Sequence, residues 1–255
     1  MALLAAVVVA VFLVAPVFIV VPMSFSTAPS LQFPPPGYWL GYYRQYFTDP
    51  RWLYPTLNSF VIAAGTMGLT LALAVPAAFA LVRHRFRGKT LAYLLLMSPM
   101  IIPLVVSALA YYSFLGRLRL TGTHVGVVLA HTALSVPIAL LAITATLKGL
   151  DPNLERAAMS AGAGPIRAFW WVTFPVLRPG ILVGALFAFL HSFDETVVAL
   201  FIAGRAASTL PKKMFESIRL ETDPVISVVS TLLFALVLVG SLIALLARSR
   251  GRRAA

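Results

Sequence analysis

The sequence predicts an all-α polytopic membrane protein, and three observations lead to that fold class. Hydrophobic residues make up 60% of the 255 residues and charged residues 11%, whereas a soluble domain is about 45–50% apolar and about 25% charged. Six apolar segments are each long enough to cross roughly 30 Å of hydrocarbon as a helix, which takes about 20 residues. None of these segments alternates polar and apolar residues, as membrane strands do. We therefore expect six transmembrane helices.

We treat residues 1–255 as a single transmembrane domain built from these spans. The first span has no charged residue before it and no convincing small-residue cleavage site, so we interpret it as an uncleaved helix rather than a signal peptide. Pro99 and Pro103 lie in the third span, where lost helical hydrogen bonds permit a bend, either static or a hinge. The predicted spans lie near residues 2–21, 57–82, 91–115, 125–147, 181–203 and 225–246.

The distribution of Lys and Arg predicts that both termini are cytoplasmic. With the N-terminus inside, twelve of the 20 basic residues fall in cytoplasmic segments and eight fall outside. Basic residues accumulate on the cytoplasmic side of membrane proteins. The net charge of +12 therefore reflects membrane orientation, and we expect lipid rather than nucleic acid as a partner.

No motif in the chain predicts a nucleotide site, a metal site or a catalytic centre. Gly88-Lys89-Thr90 resembles the end of a P-loop, but Arg83 stands where that loop needs its first glycine. The chain has no cysteine, which excludes disulfides, thiolate nucleophiles and cysteine metal ligands. If ATP drives this protein, we expect another subunit to bind it.

Two segments between the spans are expected on the outer side. Residues 38–54 are rich in Tyr and Trp, which is typical of an anchor at the headgroup level; an aromatic ligand cage is the alternative. Residues 209–220 predict a short amphipathic helix with Pro211 in its first turn. Asp223 follows and is expected to cap the last span.

The segment 148–180, between spans four and five, is long for a connection and predicts a short helix on the cytoplasmic side. Asp151 suits the N-cap, and Pro152 suits the first helical position. Gly162 can end the helix in the left-handed conformation. The small residues of this helix either enter the groove of another protein or rest on lipid, and spacing alone does not decide between the two.

A second helix is expected to begin at Pro165 and to carry aromatic residues at the membrane interface. Pro175 and Pro179 follow it. Because proline removes a helical hydrogen bond, we expect these two residues to break the chain before the fifth span.

The segment resembles the EAA loop of the permease subunits of binding-protein-dependent ABC importers. The residues that match the spacing of that motif are Ala157, Ala158, Gly162, Phe174 and Pro175. The sequence departs from the motif at Arg156, which stands in place of Glu, while Glu155 lies one position earlier. Further stretches are similar, in the same order, to permeases of the spermidine/putrescine type: "FPPPGYWLGYYRQYF", "RHRFRGK", "MSPMIIP", "SFDETVVALF" and "TLPKKM".

The resemblance implies a multi-pass subunit of the bacterial inner membrane with no catalytic residue, metal site or cofactor of its own. It implies a dimeric cytoplasmic ABC ATPase that binds ATP and Mg, a homologous second permease subunit and a substrate-binding protein outside. The loop helix would be the coupling helix that docks in a cleft of the ATPase. We carry that role onto Glu155, Arg156, Ala157, Ala158 and Gly162.

Asp194 and Glu195 stand side by side in the predicted fifth span. Two carboxylates facing lipid would cost about 5–7 kcal/mol, so we expect both to face protein or water. His191 precedes them by three and four residues, so all three can share one helix face. They either line a path for a cationic substrate or form a hydrogen-bonded cluster between helices with His131.

The acidic pair favours a polyamine such as spermidine or putrescine as the substrate. The resemblance also permits an ABC importer permease for iron, thiamine or an opine-like solute. The alternative of another class is a proton-coupled secondary transporter, in which Asp194, Glu195 and His191 relay protons. That alternative leaves the long segment between spans four and five unexplained.

Overall fold

The computed structural model describes the backbone of residues 2–220 and 223–253. Within these ranges the chain forms twelve α-helices and no β-strand, which confirms the all-α class. The helices are α1 (Ala2–Ser24), α2 (Gly41–Thr48), α3 (Pro50–Arg83), α4 (Lys89–Met97), α5 (Leu104–Arg117), α6 (His124–Lys148), α7 (Pro152–Ser160), α8 (Pro165–Ala168), α9 (Phe174–Asp194), α10 (Val197–Ile202), α11 (Leu210–Leu220) and α12 (Val225–Arg253).

In the described part of the chain, five helical stretches are long and apolar enough to cross a membrane. A sixth span results if the bent pair of Lys89–Met100 and Leu104–Arg117 is taken as one crossing. The five stretches are Leu4–Ser24, Pro50–Arg83, His124–Lys148, Pro165–Asp194 and Val225–Ile243.

The third predicted span is not one continuous helix. A 3₁₀ turn, Ser98–Met100, ends the first half, and the second half leaves at an angle of 103°. Pro103 is the N-cap of α5, and proline cannot donate the hydrogen bond that would join the halves. The predicted span over residues 91–115 therefore consists of two helices with a sharp bend between them, in the region where the prolines permit one.

The fifth predicted span also differs from the structure. Helix continues from Pro165 to Asp194 through a π-helical turn, Phe169–Thr173. Pro175 follows this π-helical turn in the first turn of α9, and Pro179 lies inside α9. The prediction that Pro175 and Pro179 break the chain was therefore wrong; the break comes later, at Glu195.

The described residues divide into two compact units. One unit consists of Met1–Leu53 together with Lys213–Ala255. In it, α12 packs on α1 and α2, and the indole N–H of the buried Trp52 donates to Asp223 Oδ2 at 3.2 Å. Asp223 also accepts the Val225 N–H at 3.0 Å, which confirms that it caps the last helix.

The other unit, Tyr54–Lys212, is built around α6, of which 67% is buried in its most apolar stretch. Helix α9 packs closely along α6 because glycines face it. A Cβ added to Gly184 would lie 3.4 Å from Ala139 Cα, and one added to Gly180 would lie 2.3 Å from Thr146 Oγ1. Small residues therefore set the distance between these two helices.

Apolar side chains fill the rest of this unit in two clusters. The larger side chains of one cluster come from α3, α5, α6 and α10 and include Ile62, Leu115, Val127, Leu134, Val198 and Ile202. The other cluster joins α3 and α6 to α9 and includes Ala74, Ala78, Leu140, Ile143 and Leu177. Together they hold α3, α6 and α9 as one packed group.

Candidate functional site

Helix α7 lies in the segment between α6 and α9, and both of its ends are formed as the sequence predicts. Asp151 Oδ1 accepts the Asn153 N–H at 2.9 Å, as an N-cap does. Gly162 has a φ of +92°, and its N–H donates to the Met159 carbonyl at 3.0 Å. The Ala163 N–H donates to the Ala158 carbonyl at 3.0 Å, which completes a Schellman motif.

Glu155 anchors α7 to two other elements. Its Oε1 lies 3.3 Å from Nη2 of Arg83, at the end of α3. The same oxygen accepts the Thr173 hydroxyl from the π-helical turn before α9. Any movement of α7 is therefore linked to α3 and α9 by side chains.

The five residues assigned to ATPase coupling therefore divide into two groups. Glu155 is half-buried and engaged within the chain, and Ala158 is half-buried as well. Arg156, Ala157 and Gly162 are exposed, so they remain available to a partner. The sequence analysis identified neither Arg83 nor Thr173 as a partner of Glu155. Arg83 lies among basic residues that had been explained by membrane orientation alone.

The two adjacent carboxylates have opposite environments. Asp194 is exposed, and Glu195 is buried with 5% of its surface accessible. Helix α9 ends at Asp194 and the backbone of Glu195 is extended, so the pair does not continue on one helix face. The expectation that His191, Asp194 and Glu195 share a face was wrong for Glu195.

Glu195 lies in a buried polar cluster that joins three helices. Its Oε2 is 3.3 Å from His131 Nε2 on α6. The other imidazole nitrogen of His131 lies 2.9 Å from Ser192 Oγ, and Ser192 Oγ lies 3.2 Å from Thr66 Oγ1 on α3. This arrangement matches the hydrogen-bonded cluster with His131 that the sequence left as one of two hypotheses.

The Glu195 carboxylate also caps α10. Its Oε1 accepts the Val198 N–H at 2.9 Å and its Oε2 accepts the Ala199 N–H at 3.1 Å. At the opposite end of α10, the Lys212 ammonium donates to the Ala203 carbonyl. Negative charge at the N-terminus and positive charge at the C-terminus both suit the helix dipole.

His191, the third candidate for the substrate path, is half-buried. In the described part of the chain, no group of three or more His, Cys, Asp or Glu side chains is placed to hold a metal ion. Near the break between α9 and α10, the side chains of His191 and Asp194 provide hydrogen-bonding groups and charge.

These features define a class of protein: a polytopic helical membrane protein with a structured loop between two long helices and a polar break in one of them. The chain belongs to the family described as "Binding-protein-dependent transport system inner membrane component", whose model matches residues 66–252. This family is that of ABC importer permeases, so the resemblance seen in the sequence is confirmed.

Two curated relatives illustrate the range of the family. The putrescine transport system permease PotI of Escherichia coli K12 is 31% identical over 95% of this chain and 89% of its own. The molybdenum transport system permease ModB of the same strain is 31% identical over 68% of this chain and 82% of its own.

A third relative and one solved structure complete the comparison. The sulfoquinovosyl glycerol permease SmoH of Agrobacterium fabrum is 31% identical over 68% of this chain and 61% of its own. A crystal structure of a bacterial ABC transporter involved in the import of the acidic polysaccharide alginate matches with a TM-score of 0.76, at 15% identity over 95% of both chains. That likeness establishes the fold.

The family defines the general role of the chain. It is a multi-pass inner-membrane translocation subunit of an ABC importer, without catalytic activity of its own. Such permeases operate with an ATPase and a substrate-binding protein. A proton-coupled secondary transporter is therefore not the class to which this chain belongs.

Proposed function

We propose that this chain is the translocation subunit of an importer for polyamines, such as putrescine and spermidine, or similar organic cations. One observation carries the proposal: a putrescine permease aligns with 95% of the chain. The exposed carboxylate of Asp194, beside the half-buried His191, supports it. A carboxylate that meets solvent at a break in a membrane helix is suited to bind an ammonium group.

Helix α7 is the proposed coupling helix. The exposed Arg156, Ala157 and Gly162 would meet the cleft of a dimeric cytoplasmic ABC ATPase, which binds ATP and Mg. Glu155 would transmit its movement, since Glu155 contacts Arg83 at the end of α3 and Thr173 before α9. The remaining partners are a homologous second permease subunit and a substrate-binding protein outside, with both termini of this chain in the cytoplasm.

A second candidate is an importer of the same mechanism for another solute. The relatives named for molybdenum and for sulfoquinovosyl glycerol favour it, because they match this chain at the same 31% identity as the putrescine permease. Their shares of this chain are smaller, at 68%. If Asp194 lies on the solute path, as we propose, its exposed carboxylate would repel an anion such as molybdate.

The two candidates are separated by the solute that the binding protein takes. We would purify the assembled importer with its binding protein and titrate that protein with putrescine, spermidine and molybdate by calorimetry. We expect the polyamines to bind and molybdate not to bind. Binding of molybdate alone would contradict the polyamine proposal while leaving the family role intact.

The role of Asp194 is tested in proteoliposomes that contain the assembled importer. We expect Asp194→Asn to raise the KM for polyamine uptake about tenfold, the loss of one charge-assisted contact. Asp194→Glu keeps the charge and is the matched control. If Asp194→Asn and Asp194→Glu take up the polyamine with the same KM as the unaltered protein, Asp194 does not contact the substrate.

A further inference from the structure

The break between α9 and α10 contains a buried carboxylate and neither a proline nor a glycine. The residues around the break are Asp194, Glu195 and Thr196. The backbone of Glu195 is extended, with φ −68° and ψ 114°. Its side chain accepts the N–H groups of Val198 and Ala199.

Those two N–H groups have another way to be satisfied. If helix continued through Glu195, Val198 would donate to the Asp194 carbonyl and Ala199 to the Glu195 carbonyl, in the ordinary pattern between residues four apart. The carboxylate of Glu195 therefore competes with a continuous helix for the same donors. With the carboxylate in this place, the broken form satisfies both donors without the helical hydrogen bonds.

His131 is the residue placed to hold it. The imidazole is fully buried, and its Nε2 lies 3.3 Å from Glu195 Oε2. This distance is that of an ion pair when the imidazole is protonated. Ser192 contacts the opposite nitrogen at 2.9 Å and fixes the ring from the other side.

The break determines where Asp194 lies. Asp194 is the last residue of α9, and it is exposed while the adjacent Glu195 is buried. In a continuous helix the side chains at 194 and 195 would turn by about 100° from one another, and α10 would follow the axis of α9. Loss of the break would therefore move Asp194 relative to α10.

We propose that His131, acting through Glu195, is a positioning residue for solute permeation. The His131–Glu195 contact fixes the break after α9 and so holds the Asp194 carboxylate on the exposed side. The functional half of this inference rests on the proposed function, in which Asp194 meets the solute. The structural half does not depend on which solute is imported.

Two substitutions of His131 separate its two contacts. The side-chain amide nitrogen of Gln lies at about the place of Nε2, so His131→Gln keeps a donor toward Glu195. Asn is shorter, so His131→Asn keeps the contact with Ser192 and loses the contact with Glu195. Glu195→Gln also disturbs the contact between residues 131 and 195. In glutamine an NH₂ group replaces one carboxylate oxygen, and this donor would face the donors from which the oxygen accepts in Glu195.

The readout is the distance between two nitroxide labels in the assembled importer, measured by pulsed electron resonance. The chain has no cysteine, so cysteines introduced at Phe201, exposed on α10, and at Leu141, exposed on α6, are the only attachment sites in this subunit. We expect one narrow distance distribution in the parent and in His131→Gln. His131→Asn and Glu195→Gln should broaden it about twofold or more, because the break is no longer fixed.

Equal widths in all four proteins would overturn the inference. If His131→Asn does not fold, Glu195→Gln alone decides. In unlabelled importers that retain Asp194, we expect His131→Asn to raise the KM for polyamine uptake about tenfold, with His131→Gln restoring it. Absence of polyamine uptake by the unaltered importer would contradict the proposed function and leave the distance measurement valid.

Discussion

The carboxylates of the adjacent residues Asp194 and Glu195 lie in different environments, one exposed and one buried. Glu195 is buried and has three partners: His131 and the backbone N–H groups of Val198 and Ala199. Ser192 in turn contacts His131. Asp194 is exposed. A buried carboxylate without such partners would be costly, so the cluster explains how Glu195 is tolerated and leaves Asp194 as the accessible acid.

The hydroxyls of Thr66 and Thr70 provide a matched test at the scale of single residues. Both side chains are fully buried on α3. Thr66 Oγ1 receives a hydrogen bond from Ser192 at 3.2 Å, whereas Thr70 Oγ1 has no hydrogen-bond partner among the described residues. Valine has nearly the same shape as threonine, so each substitution removes mainly the hydroxyl.

We expect Thr66→Val to destabilise the protein by about 1–3 kcal/mol, because the Ser192 hydroxyl loses its acceptor. Thr70→Val should be neutral or stabilising by about 1 kcal/mol, because it removes an unpaired buried hydroxyl. The measurement is the thermal midpoint of each purified variant in the same detergent. A clear loss of stability in Thr70→Val would show that its hydroxyl has a partner, such as a buried water.

Helix α7 shows how a short element acquires a defined position. With only nine residues, Pro152–Ser160, it is too short to be stable alone. Its ends are capped by Asp151 and by the Schellman motif around Gly162. Its side is held through Glu155. Capping fixes its length, and the Glu155 contacts fix where it lies.

Substitutions of Gly162 and Gly164 test whether the C-terminal cap determines where α7 ends. Gly162 has a φ of +92° and Gly164 a φ of −67°, and a Cβ at either position would meet no atom within 4 Å. The two positions therefore differ in backbone conformation rather than in available space. Gly164→Ala is accordingly the control for Gly162→Ala.

We expect Gly162→Ala to cost about 1–2 kcal/mol, since a left-handed residue with a Cβ is strained. Gly164→Ala should cost less, because alanine adopts the φ of Gly164 without strain and replaces it only as the N-cap of the short helix α8. Thermal midpoints and the affinity of each permease variant for its ATPase are the measurements. Equal behaviour of the two variants would mean that the end of α7 does not depend on Gly162.

For the molecule as a whole, the distribution of Lys and Arg predicts its orientation in the membrane. Twelve of the 20 Lys and Arg residues lie in the segments assigned to the cytoplasm. The turn between α3 and α4 is among them, and the turn between α10 and α11 lies on the opposite side in this assignment. The absence of cysteine makes the assignment testable without altering native thiols.

We expect a membrane-impermeant maleimide to label Ala206→Cys in intact spheroplasts, because this exposed position is assigned to the outer side. Phe86→Cys, at a side chain that is 43% exposed, should react only after permeabilisation. The cysteine-free parent gives the background. Labelling of Phe86→Cys in intact spheroplasts would show the opposite orientation and contradict the prediction that both termini are cytoplasmic.

The sequence by itself determined the features that depend on neighbouring residues. Long apolar runs predicted the membrane class, and the caps at Asp151, Gly162 and Asp223 lie where local rules place them. These features could be predicted because backbone N–H and C=O groups at helix ends must be satisfied by residues nearby. The motif in the segment 148–180 predicted the family for the same reason: its spacing is local.

Only the tertiary structure decided how distant side chains pair. The partners of Glu155 lie on α3 and before α9, and the cluster at Glu195 joins α3, α6 and α9. The local rule for proline failed at Pro179, where helix continues, while a break occurred at Glu195. Buried polar groups take whichever partners the packing brings near, and packing between α6 and α9 is not encoded in the spacing of either helix alone.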